Sequence, residues 1–192
     1  MTVMAIATER AWTRDEMWEG VLVMPPLANN EHQRIVSKLT SAFSSVIDWD
    51  AGEQALPCAN VSDRDTGWTY NYRDPDCVVY LSGNPARDCG THWHGGPDLL
   101  VEVISPGENP LAKLGFYAAI DTREMLVVDR YPWALELYRL VDGELILQGR
   151  SDEATPTILT SAVLPFTFQL RHATPRSLIV VAHTGTGQTW TI

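Results

Sequence analysis

Between Glu31 and Ile47 the apolar residues Ile35, Leu39, Phe43, Val46 and Ile47 recur at steps of four, four, three and one. That spacing places them on one stripe of an α-helix over roughly residues 31–47. Asn29 or Asn30 just before it offers a side-chain oxygen to the free N–H groups of the first turn. Elsewhere the pattern is that of strands. Asp76-Cys77-Val78-Val79-Tyr80-Leu81 follows the turn-forming pair Asp74-Pro75, and Asp98 to Ser105 is almost continuously apolar, as central strands covered on both faces are. Asn109 and Pro110 then supply a cap and a first position for a helix running to about Ile120, with Leu111, Leu114 and Ala118 on one face. Met125 to Asp129 reads as the next buried strand, so that strand, helix and strand form a βαβ unit. Beyond it, Ala134–Val141 and Glu144–Gln148 flank Asp142-Gly143, a hairpin signal.

Other segments are less regular. Gly20 to Met24 is a short apolar stretch ended by Pro25-Pro26, and residues 163–170 and 176–182 are apolar runs that fit strand or helix equally. Residues 57–75 and 82–97, rich in Gly, Pro, Asp and Asn, read as loops within one domain of residues 1–192. These elements predict an α/β fold with a mixed central β-sheet flanked by helices.

Composition narrows the function. Fourteen Lys and Arg against 24 Asp and Glu give a net charge of −10 and a pI near 4.8, which argues against a chain that coats polyanions. Chemistry on nucleic acid would have to rely on local charge or a bound cation. Arg34, Arg64, Arg73 and Arg87 are scattered candidates for phosphate contact, each equally an ordinary solvated side chain. No apolar run approaches the about 20 residues that span a bilayer, and Met1 to Ala11 has no basic stretch leading into an apolar run. The expectation is a soluble, cytoplasmic protein. Cys58, Cys77 and Cys89, odd in number and without C-x-x-C spacing, suit reduced thiols.

Glu102 is the informative residue, because a carboxylate inside Leu-Leu-Val-Glu-Val-Ile must be paired, protonated or metal-bound to be buried. Alternation puts it on one face with Asp98, Leu100 and Ile104, opposite Leu99, Val101 and Val103. Asp76 opens the other buried strand, so the two carboxylates converge if the strands are neighbours, and two hard oxygen ligands suit Mg²⁺ or Mn²⁺. Asp76 is equally a turn residue closing the Asp74-Pro75 bend. Lys113, one of two lysines with Lys38, is the natural ion-pair partner of Glu102. It is also a group able to stabilise charge developing on a phosphate. Cys89, His92 and His94 offer thiolate and imidazole to zinc, but without an evident fourth ligand the segment reads as a Gly-rich loop with incidental histidines.

Asp74-Pro75-Asp76, the string Pro97 to Pro106, Lys113 with Tyr117, and Glu124 to Asp129 occur in an order and spacing that resemble the Uma-two family of restriction-endonuclease-like proteins, within the PD-(D/E)XK nuclease superfamily. With Gly20–Met24, Pro25-Pro26 and His32 matching an opening hairpin and first helix, the resemblance runs from about residue 12 to residue 147. Residues 150–192 would complete or cap the fold. The resemblance implies a restriction-endonuclease-like domain and a Mg²⁺- or Mn²⁺-dependent endonuclease acting on DNA; because nucleases that cut duplex DNA often pair two sites and symmetric dimers are the commonest oligomer, a homodimer is the accompanying expectation. Asp76 and Glu102 would be the metal ligands, Lys113 the catalytic lysine, and His32 a further residue of the site or simply a helix histidine. The superfamily pattern sets the lysine two residues after the acid, where this chain has Ile104, so Lys113 stands for a lysine moved into the following helix. Glu16 and Glu19 rank behind His32 as additional acids. Glu124-Met125 replaces a Tyr-Trp common in the family, read as a change of packing. The alternative is a catalytically silent nuclease fold acting as a protein-interaction or scaffold module.

Overall fold

The computed structural model describes residues 14–192. The leader-free reading of Met1 to Ala11 and the first residues of the resemblance lie outside the described residues. The described residues form sixteen strands and two α-helices in this order: β1 (Glu16–Trp18), β2 (Val21–Val23), α1 (Asn30–Ser44), β3 (Gln54–Pro57), β4 (Val61–Ser62), β5 (Tyr72–Arg73), β6 (Cys77–Tyr80), β7 (Arg87–Asp88), β8 (Trp93–His94), β9 (Leu99–Val103), α2 (Leu114–Ala119), β10 (Glu124–Arg130), β11 (Trp133–Val141), β12 (Glu144–Asp152), β13 (Leu159–Thr160), β14 (Phe166–Arg171), β15 (Leu178–His183) and β16 (Thr189–Thr191).

A six-stranded sheet in the order β12-β11-β10-β9-β6-β3 forms the centre. It is mixed: β9 and β10 are parallel, joined through α2, and every other neighbouring pair is antiparallel. Alternation along the strands gives it two apolar faces. Val79, Leu99, Val101, Leu126 and Leu137 pack with Ile35, Leu39 and Phe43 of α1, whereas Val78, Leu100, Met125 and Val127 pack under Tyr117 and Ala118 of α2. Asn29 caps α1, its side chain accepting from the His32 N–H at 2.9 Å. The helix stops at Ser44, short of the expected 47, yet Val46 and Ile47 still pack on the same core. The hairpin turn is as expected, with Asp142 (φ 49°) and Gly143 (φ 82°) both left-handed.

Two expectations are corrected and one open reading is settled. The loops at 57–75 and 82–97 contain β4, β5, β7 and β8, which join β1 and β2 in a second sheet, β2-β1-β5-β4-β8-β7; strands of two or three residues carry no readable period. The expected helix from Pro110 divides into a 3-10 turn, Pro110–Lys113, and the short α2. Leu111 turns outward, half exposed, and the inward pair is Lys113 and Tyr117, one helical turn apart. The apolar runs near the C-terminus resolve as strands, β14 and β15, in a four-stranded sheet whose Phe166 and Phe168 lie 5.9 and 6.2 Å from Phe43.

Glu124 does more than alter packing. Fully buried, it accepts from Arg139 Nη2 (2.8 Å), Ser161 Oγ (2.5 Å) and the Ala162 N–H (2.8 Å), tying β10 and β11 to the segment between β13 and β14 of the C-terminal sheet. Glu124→Ala is expected to lower stability by about 2 kcal/mol, because a third of Arg139 is exposed and water can replace part of what is lost. Urea unfolding checks this, and a loss below about 0.5 kcal/mol would show that the carboxylate does not anchor that segment.

Candidate active site

The register of the central sheet brings the two predicted acids together. Cys77 pairs with Val101 across the antiparallel β6–β9 ladder, so Asp76, one residue before β6, lies across from Glu102 at the same end of the sheet. Asp76 is fixed from three sides. Its Oδ2 accepts from the Val103 N–H (2.8 Å) and lies 3.1 Å from His32 Nε2, and its Oδ1 accepts from Arg14 Nη2 (2.8 Å). His32 reaches it from the first turn of α1, where the Asn29 cap sets the helix start.

Glu102 is gripped by the element that follows its strand. Lys113 Nζ donates to Glu102 Oε1 at 3.0 Å and to Glu16 Oε1 at 2.8 Å, and the Tyr117 hydroxyl donates to Glu102 Oε1 at 2.5 Å. Glu16, on β1, is itself positioned by Trp18 Nε1 (2.8 Å) and the Asp74 N–H (3.2 Å). All five side chains Glu16, His32, Asp76, Glu102 and Lys113 are buried, yet they line a cavity of about 280 Å³ walled by Pro25, Pro26 and Leu27.

Electrostatics follow from this crowding. Burial, with the charges of Asp76 and Glu16 behind it, pushes Glu102 up to about 7 against the pull of Lys113. Burial also opposes the charge on Asp76, but the hydrogen bond and charge of His32, the Arg14 guanidinium and the Val103 N–H outweigh it and hold that carboxyl below its ordinary range. Lys113 is held above its ordinary value, since Glu102 and Glu16 overcome its burial. Asp74 is raised by burial despite Arg14, which donates to it at 2.9 Å. Four carboxylates, Glu16, Asp74, Asp76 and Glu102, thus face Lys113, Arg14 and His32. Clustered hard oxygen donors with an excess of negative charge fit a small divalent cation.

Asp76, Glu102, Lys113 and His32 therefore converge. Glu16, which ranked behind His32, is buried in the same cluster because β1 pairs with β5 at the cavity wall. Glu19 is not part of it; it sits in the β1–β2 turn, largely exposed, accepting from Asn71 Nδ2 at 2.7 Å. Arg14, Asp74 and Tyr117 complete the cluster; Asp74 and Tyr117 stood in the strings that carry the family resemblance, whereas Arg14 carried no sequence signal. Three of the four scattered arginines are otherwise engaged. Arg73 is buried, with its guanidinium 4.3 Å from the Trp18 ring centre and 4.1 Å from that of Phe116. Arg64 pairs with Asp63 and Arg87 with Asp65, while Arg34 is exposed.

The family model described as "Putative restriction endonuclease", Uma2, matches residues 4–173. This chain belongs to the Uma2 family. Among solved structures it is similar to a putative nuclease belonging to DUF820 from Anabaena variabilis ATCC 29413, with a TM-score of 0.58 and 18% identity over 76% of this chain and 80% of that one. That likeness shows a shared fold, the restriction-endonuclease-like α/β arrangement around a mixed sheet. No curated protein matches the chain. Among the described residues, no helix of this Uma2 member is long and apolar enough to cross a membrane.

Proposed function

We propose that this Uma2 protein is an endonuclease that hydrolyses DNA phosphodiester bonds with Mg²⁺ or Mn²⁺, held by Asp76 and Glu102. The observation that carries the reading is the pairing of two buried acids at one end of adjacent central strands, open to a cavity, with a lysine bonded to one of them. A divalent cation bound there would supply positive charge to the phosphate and lower the pKa of a coordinated water. His32 and Arg14 orient Asp76; Tyr117 orients Glu102. Lys113, clamped between Glu102 and Glu16, presents an ammonium whose charge stabilises the phosphorane-like oxygens of the transition state without reorganising. A bound cation would offset the excess of carboxylates and give the local positive charge that a chain of net −10 otherwise lacks. Pairing of two copies on a duplex, in the cytoplasm, belongs to the same proposal.

One observation favours a second reading, a silent nuclease fold serving as a scaffold: Lys113 and Tyr117 satisfy Glu102 without any cation. Calorimetry with Mn²⁺ and Mg²⁺ on wild type and Glu102→Ala, with plasmid cleavage on the same samples, separates the two. The nuclease reading expects cation binding and nicking that both vanish in Glu102→Ala. A wild type that neither binds the cations nor nicks DNA would leave the scaffold.

A further inference from the structure

Away from the cavity, the β7–β8 hairpin carries metal-preferring side chains that the nuclease reading does not use. Its tip, Cys89-Gly90-Thr91-His92, is a closed turn: the Cys89 N–H donates to the His92 carbonyl at 3.0 Å, and the N–H of Gly90, left-handed at φ 80°, donates to Asp88 Oδ1 at 2.7 Å. β8 is held in turn by its parallel pairing with β4 and by Trp93, which stacks on Tyr80 at 3.7 Å. Two potential ligands three residues apart are thereby set on a rigid support.

His92 is the better defined of the two. It is buried, stacked on Trp68 with ring centres 4.8 Å apart and planes 12° from parallel. Its Nε2 lies 3.1 Å from the Arg64 carbonyl oxygen, which can only accept, so Nε2 carries the proton and Nδ1 keeps the lone pair. A histidine that donates one N–H to a backbone carbonyl, with only a rotatable hydroxyl on its other nitrogen, is oriented as metal-binding histidines are. Nδ1 now lies 3.1 Å from the Thr91 hydroxyl, a donor that can rotate away.

The third group comes from another segment. Asp65, in the loop between β4 and β5, brings Oδ1 to 3.6 Å from Cys89 Sγ, and one ligand atom from each of Asp65, Cys89 and His92 lies within 4.8 Å of the others. In a tetrahedral zinc site, with Zn–S about 2.3 Å and Zn–O about 2.0 Å, sulfur and oxygen stand about 3.5 Å apart. We propose that Asp65, Cys89 and His92 bind Zn²⁺ as a structural site that pins the β4–β5 loop to the β7–β8 hairpin. Asp65 takes the place that the sequence pattern suggested for His94, which is not in this group. Asp65 is exposed, so water is at hand as a fourth ligand. A cross-link has a reason to be here, because β4, β5, β7 and β8 are two residues long and contribute few ladder bonds to hold their sheet. Arg87, paired with Asp65, is the cation that Zn²⁺ would displace.

The test uses the full chain, stripped with chelator and kept in excess Mg²⁺ so that the carboxylate cavity does not compete. Zn²⁺ is titrated by calorimetry and Co²⁺ by absorption. Expected are stoichiometric Zn²⁺ binding, a thiolate-to-Co²⁺ charge-transfer band, and a rise in Tm with Zn²⁺. Cys89→Ser should abolish the band and weaken Zn²⁺ at least about tenfold; Asp65→Asn should weaken it, and Arg87→Ala should tighten it. Cys89 and Asp65 lie on surface turns, and far-UV circular dichroism confirms that their variants fold. Absence of stoichiometric Zn²⁺ binding in wild type, unchanged affinity in Cys89→Ser, or loss of the band in Cys58→Ser instead would overturn the proposal. None of these outcomes depends on whether the chain cleaves DNA.

Discussion

Replacing Asp76 by asparagine is expected to lower Mg²⁺-dependent plasmid cleavage about a thousandfold or more, equivalent to about 4 kcal/mol on the barrier, while the fold survives. The argument rests on what the substitution keeps and what it removes. Asparagine has the same shape and an oxygen that still accepts from the Val103 N–H, so the β6–β9 junction keeps that bond. It removes the charge. In wild type the His32 and Arg14 contacts overcome burial and hold the Asp76 carboxyl below its ordinary range, so the group is ionised at neutral pH and available as a hard anionic ligand. A neutral amide is a far poorer ligand for Mg²⁺. Plasmid nicking over a range of Mg²⁺ concentrations is the measurement, with circular dichroism to confirm folding. Cleavage within about tenfold of wild type would remove Asp76 from the chemistry.

How much of this was legible depended on length and on contrast. α1, β9, β10 and the β11–β12 hairpin each present enough residues for a period of 3.6 or 2 to show, and the sheet could be assembled from them. The second sheet could not: Val61–Ser62 or Trp93–His94 is two residues amid Gly, Asp and Asn, and only long-range pairing makes it a strand. The same limit hid Glu16. As the first residue of a three-residue strand it resembles any solvated acid, and its burial comes from β5 and Lys113, far away in the chain. Glu102 stood out because a lone charge interrupts an apolar strand, and Lys113 because lysine is rare here. Arg14 and Asp74 had no such contrast. In the hairpin loop the sequence offered Cys89, His92 and His94, adjacent in the chain, whereas the fold brings Asp65 across from another loop.

Lys113→Met tests the electrostatic cluster itself and is expected to lower stability by about 3–5 kcal/mol at pH 8 in chelator-containing buffer, along with abolishing cleavage. Lys113 is buried and donates to both Glu102 and Glu16, so removing it leaves two carboxylates facing each other in a low-dielectric site. Methionine matches the stem in volume, which confines the loss to the charge. The loss should depend on pH. Burial and the neighbouring acids already push Glu102 up to about 7 in wild type, and Lys113 is what pulls it down, so without Lys113 it rises further. A carboxyl whose folded value is raised contributes stability below its ordinary value near 4.5, and loses that contribution as pH rises through the folded value. The deficit should therefore be about 1 kcal/mol larger at pH 8 than at pH 5, opening as pH rises through about 7. Adding Glu102→Gln to Lys113→Met should restore much of the stability at pH 8 but none of the cleavage. If the single variant is equally destabilised at pH 5 and pH 8, or if the second substitution rescues nothing, Lys113 is held by packing and not by the charges of Glu102 and Glu16.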